Sequence, residues 1–280
     1  MQPHSAPMGQ KSLRILCLGD VVGRPGRRAL AARLPGLRRK LNLDLVIANG
    51  ENAAGGIGLT PDTLREMFGA GVDVVTSGNH VWKHREMRPC LDKEARVLRP
   101  ENYGPEAPGR GFGVFVLPGG ERVGVLNLLG RVYMDPVDNP FAAADRALNN
   151  LQEQAAGLVI VDFHAEASSE KRAMAHYLDG RVALVVGTHT HVQTADAHIT
   201  DKGTACISDL GMCGVEFDSV IGMGKAAVLK RFTRNLPEAF GPAKGRVSLN
   251  GLLTELDPAT GRALAVTLFR DCPATVLDAG

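Results

Sequence analysis

The chain has 280 residues, a formal net charge of +2 and 44% hydrophobic residues, which is enough to bury a sizeable core and too balanced in charge to mark it for nucleic acid or an acidic partner. No apolar run approaches the roughly 20 residues that a membrane-spanning helix needs, and the opening MQPHSAPMGQKS lacks a charged stretch followed by an apolar region, so neither a membrane protein nor a secreted one is expected. A cytoplasmic location follows by default, and the five cysteines, which contain no CxxC pair, are expected to be reduced thiols.

Residues 1–11 read as a loose tail containing His4, and residues 12–280 as one domain, because no Pro/Gly/Ser linker divides them and no internal repeat is visible. The strand-like LRILCLG, with Cys17 as a small buried hydrophobe, leads to Asp20. The turn Gly23-Arg24-Pro25-Gly26 then opens RRALAARLPGLRRK, where Leu30, Leu34, Leu37 and Leu41 recur at three- and four-residue steps. That spacing predicts an amphipathic helix whose basic face is solvated, in preference to an RNA-binding surface. LDLVIANG leads to Glu51-Asn52 and a loop with Gly55, Gly56 and Gly58, which reads as a turn ahead of a closely approached ligand. Thr60-Pro61 is an N-cap followed by proline at the first helical position, so PDTLREMFGA is predicted helical up to a stop at Gly71. VDVVTSG then leads to Asn79. This βαβαβ order predicts a parallel sheet with right-handed crossovers.

The middle of the chain, GFGVFVLPGGERVGVLNLLG, has two β-rich runs around Pro118-Gly119-Gly120 and predicts a hairpin. Asn139 to Ala156 reads as a helix, and LVIVDFHAEASSEKRAMAHYLDG as strand, loop and helix with Ser168 or Ser169 as cap. VALVVGT leads to His189, and TADAHIT, GTACISDLG and ALAVTLFR in the last third read as further strands joined by turns. Cys206 and Cys213 fit no zinc pattern and read as structural.

The predicted strand ends carry the chemistry. Asp20, Glu51, Asn52, Asn79, His164, His189 and His191 each close an apolar run, and in an open α/β sheet such ends converge on one crevice. In His189-Thr190-His191 the two imidazoles are two residues apart, so an extended backbone would point them to the same side. Three imidazoles mixed with carboxylate and amide oxygens suit iron, manganese or zinc better than calcium or magnesium. His80, beside Asn79, would hang over the same crevice with a chemical role. His84 and His176 fall in helical patterns as surface residues, and His198 reads as structural. Arg24, Lys83 and Arg131 are candidates for contact with a phosphate.

LGDVVGRPGR, NGENAAGGIG, TSGNHVWK, DFHAEASSEK and GTHTHVQTAD, in that order, resemble the calcineurin-like metallophosphoesterases, and within them the YmdB-like bacterial branch of 2′,3′-cyclic-nucleotide phosphodiesterases. The resemblance implies a layered αββα sandwich of mixed sheets with the metal site at the carboxyl ends of the strands. It implies two metal ions, iron first with manganese or zinc as alternatives: Asp20, Asn52 and His191 on one, Asn79, His164 and His189 on the other, and Glu51 as the bridge. His80 takes the place of the proton donor. The wider superfamily has Asp-x-His after the first strand, whereas Val22 stands here and Asn52 is the replacement; its bridge is also usually Asp where this chain has Glu51. The implied activity is hydrolysis of small cyclic nucleotides, 2′,3′-cyclic forms before 3′,5′-cyclic AMP. A phosphomonoesterase or protein phosphatase is the second reading, and a low-turnover metal-binding regulatory module the third. Expected partners are a small phosphoester substrate and no membrane, with direct RNA binding the lesser reading and a homo-oligomer compatible with all of these.

Overall fold

The computed structural model describes residues 12–272, so the predicted tail with His4 lies outside the described residues. The first strand, β1 (Leu13–Leu18), sends Leu13, Ile15 and Cys17 to one face and Leu16 and Leu18 to the other. That is the pattern of a strand buried on both sides. The two-residue β2 (Asp20–Val21) continues into helix α1 (Gly23–Leu41). The predicted Gly23–Gly26 turn is therefore the helix's own first turn, with Gly23 at φ +58. The helix ends on Asn42 in the left-handed conformation with Arg38, Arg39 and Lys40 in its last turn, where cations suit the carbonyl end of the dipole. Its basic face is largely engaged within the molecule: Arg33 forks onto Asp271 with two 2.8 Å bonds, and Arg38 bonds Asp73 at 2.6 Å.

Strand β3 (Leu45–Asn49), helix α2 (Pro61–Gly69) and strand β4 (Val74–Thr76) follow, and β1, β3 and β4 pair in parallel as predicted. Thr60 caps α2 through a reciprocal pair with Thr63, and the helix stops at Gly69, two residues short of the predicted Gly71. A short helix α3 (Met87–Lys93), which no sequence signal announced, buries Met87 and Leu91. His84 lies before it in a bend rather than in a helix, its Nε2 3.0 Å from the Ile57 carbonyl.

The hairpin is β5 (Phe112–Val116) against β6 (Arg122–Leu129). Helix α4 (Pro140–Glu153) is capped by Asn139 and ends three residues before the predicted Ala156. Strand β7 (Leu158–His164) and helix α5 (Ser168–Tyr177) follow, but the N-cap of α5 is Ala167 with no side-chain bond, so neither Ser168 nor Ser169 caps it. His176 is exposed on this helix. Strand β8 (Leu184–Thr188) completes a second parallel run, β6, β7 and β8.

The last third contains β9 (His198–Ile199), β10 (Ala205–Ile207), β11 (Met212–Val215), β12 (Ser219–Val220), β13 (Met223–Gly224), an unpredicted helix α6 (Lys225–Arg234), β14 (Val247–Leu256) and β15 (Ala263–Asp271). His198, in β9, contacts Cys206 Sγ at 3.4 Å from its Nε2.

One sheet runs β2-β11-β14-β1-β3-β4 with β15 on the far side of β14, and the other runs β5-β6-β7-β8-β10-β9. Leu13, Ile15, Leu45, Val123, Ile160, Leu184 and Leu252 fill the space between the two sheets. The opposite face of the first sheet packs against α1, α2 and α3 through Leu16, Leu30, Leu34, Met67 and Leu91, and that of the second against α4 and α5 through Leu126, Ala147, Phe163 and Met174. The layering is the αββα sandwich of mixed sheets that the resemblance implies. Both parallel runs carry their carboxyl ends to one edge.

Candidate active site

The structure brings the eight predicted site residues to that edge. Asp20 follows β1, Glu51 and Asn52 follow β3, Asn79 and His80 follow β4, His164 ends β7, and His189 and His191 follow β8. Within the cluster His164 Nε2 lies 3.6 Å from Glu51 Oε1 and its Nδ1 3.8 Å from Asp20 Oδ1, while His191 Nε2 lies 3.8 Å from Asp20 Oδ1 and 3.0 Å from Asn52 Nδ2. The His80 backbone N–H donates to Glu51 Oε1 at 2.7 Å, and its ring Nδ1 lies 3.0 Å from the same oxygen and 3.1 Å from Asn52 Oδ1. Gly78 packs so closely on His164 that a Cβ there would meet the ring at 2.2 Å. Asn79 is the residue between these two contacts in the chain.

The outer hydrogen bonds fix the tautomers. Thr188 donates its hydroxyl proton to Asp162 Oδ1 at 2.7 Å, so at 2.9 Å it can only accept from His164 Nδ1. His164 Nε2 is left with its lone pair turned inward. His189 Nε2 lies 3.1 Å from Glu166 Oε2 and donates there, which leaves its Nδ1 lone pair 3.1 Å from His164 Nε2. His191 Nδ1 donates to the Ile221 carbonyl at 2.8 Å, so its Nε2 also faces the cluster as a lone pair. Burial lowers the pKa of His164 and, to a lesser degree, of His189, with the neighbouring imidazoles adding to both, so these rings are neutral.

Two opposed imidazole lone pairs at hydrogen-bond distance repel one another, and a shared cation relieves the repulsion. The oxygens tell the same story: Asp20 Oδ1, Glu51 Oε2 and Asn79 Oδ1 are buried without a hydrogen-bond partner. Such atoms need a proton or a cation. Burial raises Asp20 to about 7 against the pull of His191, and raises Glu51 well above the usual carboxylate range with the Asp20 charge beside it. The donor set thus fits metal ions. Among the described residues no three His, Cys, Asp or Glu side chains are spaced as a ready metal-binding group, so the fit rests on the orphaned oxygens and the inward lone pairs. The Asn52 oxygen faces His80 rather than His191, whose Nε2 meets the amide nitrogen.

The His189-Thr190-His191 segment departs from the extended backbone that the spacing predicts. His189 has φ +100 and His191 φ +66, conformations that cost side-chain-bearing residues about 1–3 kcal/mol each and persist only under surrounding constraint. The constraint is Asp209, which accepts from the Thr190 backbone N–H at 3.0 Å, the Thr190 hydroxyl at 2.8 Å and the Lys171 ammonium at 2.7 Å, in a buried pair. Asp20 adds a bond to the His189 backbone N–H at 3.0 Å.

Sequence reasoning missed this supporting set. Asp162 accepts from Thr76 at 2.5 Å, Asn49 at 3.0 Å and Thr188, and Asn49 in turn accepts from the Glu51 backbone N–H at 2.9 Å. Asp162, a carboxylate inside the apolar strand LVIVDFH, and Asn49, the polar last residue of LVIAN, were the available signal. Val22 forms a bridge to Asn52, and the Gly23 backbone N–H donates to the Asn52 carbonyl at 2.9 Å, so Asn52 stands next to the position where the wider superfamily carries its missing histidine.

A cavity of about 460 Å³ opens over His80, His189 and His191, walled by Gly56, Ile221, Met223 and Phe240. Of the candidate phosphate contacts, Lys83 is exposed near His80, Arg131 is exposed with its backbone N–H held by Glu170 at 3.0 Å, and Arg24 lines a separate neighbouring groove.

The model of the YmdB-like protein family matches residues 16–269. The chain is 42% identical over 254 residues to the 2′,3′-cyclic-nucleotide 2′-phosphodiesterase of Bacillus subtilis (strain 168), spanning 91% of this chain and 95% of that one. A crystal structure described as a novel phosphatase from Mycoplasma pneumoniae superposes with a TM-score of 0.88 at 35% identity, covering 94% of this chain and 95% of that chain. The 5′-nucleotidase precursor from Thermus thermophilus superposes with a TM-score of 0.53 at 16% identity over 93% of this chain and 54% of its own, a likeness of fold alone.

Proposed function

The chain belongs to the YmdB-like protein family, and from that premise we propose that it is a metal-dependent phosphodiesterase that opens the ring of 2′,3′-cyclic nucleotides. The observation that carries the metal centre is the trio of orphaned buried oxygens, Asp20 Oδ1, Glu51 Oε2 and Asn79 Oδ1, beside inward-facing imidazole lone pairs. Asp20, Asn52 and His191 would hold one ion, Asn79, His164 and His189 the other, and Glu51 would bridge them. Metal ions held there supply a water of lowered pKa and neutralise phosphoryl charge. Iron is the first choice, with manganese or zinc as alternatives, because the set mixes imidazoles with hard oxygens.

His80 moves the proton. Burial lowers its pKa to about 4, with Lys83, His189 and His191 in the same direction and Asp135 opposing, so the ring is a neutral imidazole at neutral pH. The Glu51 carboxylate and Asn52 amide oxygen hold its Nδ1 edge against the cluster. With the Nδ1 proton held by those two oxygens, the Nε2 lone pair first takes up the proton given up by the attacking water. It then passes that proton to the ribose oxygen that departs from phosphorus, cancelling the charge that develops there. Ile221, Met223 and Phe240 give the cavity an apolar wall for a nucleoside. The name of the Bacillus relative supports the 2′,3′-cyclic substrate, and 3′,5′-cyclic AMP is the secondary one. The Mycoplasma structure's description favours a phosphomonoesterase as the second reading. The shared inter-sheet core supports one domain, and five unpaired cysteines support a cytoplasmic location. No helix among the described residues is long and apolar enough to cross a membrane.

The test is metal analysis of the purified protein followed by assay with iron, manganese and zinc on 2′,3′-cyclic AMP, 3′,5′-cyclic AMP and a phosphomonoester. Turnover of the first is expected to fall by about 10² or more in His80→Ala with metals still bound, the scale of a lost general acid. Full activity in His80→Ala removes the proposed acid, and cleavage of the monoester alone selects the second reading.

A further inference from the structure

A groove of about 510 Å³ lies beside the candidate active site and shares Gly55 with the cavity over the histidines. Its walls include Arg24, Arg27, Arg28 and Lys244 and no acidic side chain. Arg27 is committed to Glu66 and to the Ala53 carbonyl. Arg24 and Lys244 are exposed and form no ion pair among the described residues. The groove therefore presents two exposed cations, Arg24 and Lys244, on a partly apolar wall with no carboxylate in its lining, which favours an anion carried on an organic body.

Three features tie it to the histidines. Gly23, the first residue of α1, donates its backbone N–H to the Asn52 carbonyl at 2.9 Å, so Arg24 starts one residue from a contact with a predicted metal ligand. The first turn of this 19-residue helix contains no acidic residue, leaving the positive end of its dipole toward the groove. Gly55, at φ +64, lines both the groove and the cavity, and a Cβ there would meet open space.

We propose that this groove is a second phosphate subsite that binds a phosphate on the 5′ oxygen of a nucleotide whose 2′,3′-cyclic phosphate lies at the histidines; the inference rests on the proposed phosphodiesterase activity. The same chemistry has two sources, a mononucleotide with a free 5′-phosphate or the last residue of an RNA strand ending in a cyclic phosphate. Either way the groove selects substrates by their 5′ side and takes no part in the chemical step.

The experiment compares kcat/KM for 2′,3′-cyclic AMP with a 5′-hydroxyl, for the same nucleotide with a 5′-phosphate, and for a diadenosine dinucleotide ending in a 2′,3′-cyclic phosphate, in the native enzyme and in Arg24→Glu/Lys244→Glu. The native enzyme is expected to prefer the 5′-phosphorylated forms by about tenfold, the scale of one charge-assisted hydrogen bond. The double variant should lose that preference and keep its rate on the 5′-hydroxyl substrate. A gain with both phosphorylated substrates means that the phosphate alone is recognised, and a gain with the dinucleotide only means that an RNA strand is. Equal rates on all three in the native enzyme, or an equal loss on all three in the variant, overturn the subsite. If no cyclic substrate is turned over, the phosphodiesterase reading fails, and calorimetric binding of adenosine 3′,5′-bisphosphate against adenosine 3′-monophosphate judges the subsite separately. Equal affinities would then reject it.

Discussion

The threonine at 188 shows how much of the site is decided one residue behind the side chains that face substrate. Its single hydroxyl proton is spoken for by Asp162, so it sets the His164 tautomer and turns the Nε2 lone pair inward. Thr188→Val keeps the shape and removes both bonds, leaving His164 free to turn its other nitrogen inward and Asp162 short of a donor. We expect metal affinity to fall about 10- to 100-fold, the usual cost of losing an outer hydrogen bond to a ligating histidine. Titration of metal-free protein with manganese measures it, and an unchanged affinity would remove Thr188 from this role. Sequence showed the inner residues and hid this one for the same reason. Asp20, Glu51, Asn79 and His189 stand just past an apolar run, where polarity is easy to see, whereas Thr188 is still the last residue of its strand and Asp162 lies inside one, where a buried side chain is read as apolar.

At the level of elements, the least legible piece is the loop after β8. A two-residue spacing of histidines reads as extended chain, yet both take positive φ, because the Thr190 between them is drawn onto Asp209 by two hydrogen bonds. Lys171 of α5 reaches the same carboxylate, so a helix on the outside of the sandwich pins a loop at the edge of its second sheet. Lys171→Met leaves a buried carboxylate without its counter-charge, and breaking such a pair costs about 3–5 kcal/mol. Urea unfolding monitored by circular dichroism should show that loss, and a change within about 0.5 kcal/mol, ordinary for a surface substitution, would rule the pair out as a constraint. Helix α6 was missed for a different reason: only Val228 of its residues is buried, while Leu229 and Phe232 face solvent, so its apolar pattern is not that of a core-facing helix. The β1-α1-β3-α2-β4 unit was legible because each strand is an unbroken apolar run and each helix repeats every three to four residues.

The whole molecule holds the candidate metal ligands in place only when both sheets are packed. Asp20, Glu51, Asn52 and Asn79 come from the ends of one parallel run, and His164, His189 and His191 from the ends of the other, so the inter-sheet core sets the distance between the two halves. No short segment of the unfolded chain contains more than a few of these groups, and metal binding should therefore favour the native state strongly. At free metal of about 100 times the dissociation constant this linkage is worth about 2.7 kcal/mol. For a chain of this size each kcal/mol moves the unfolding midpoint by about 2–4 °C, which predicts a rise of roughly 5–10 °C on reconstitution with manganese after chelation. Scanning calorimetry of chelated and reconstituted protein checks it, with His189→Ala/His191→Ala as the control that should lose most of the shift. A midpoint that ignores metal while metal analysis shows full occupancy would mean that the ions sit elsewhere than between the two sheets. The buried oxygens of Asp20 and Glu51 would then need protons, which the metal-free protein can supply only at the expense of their charge.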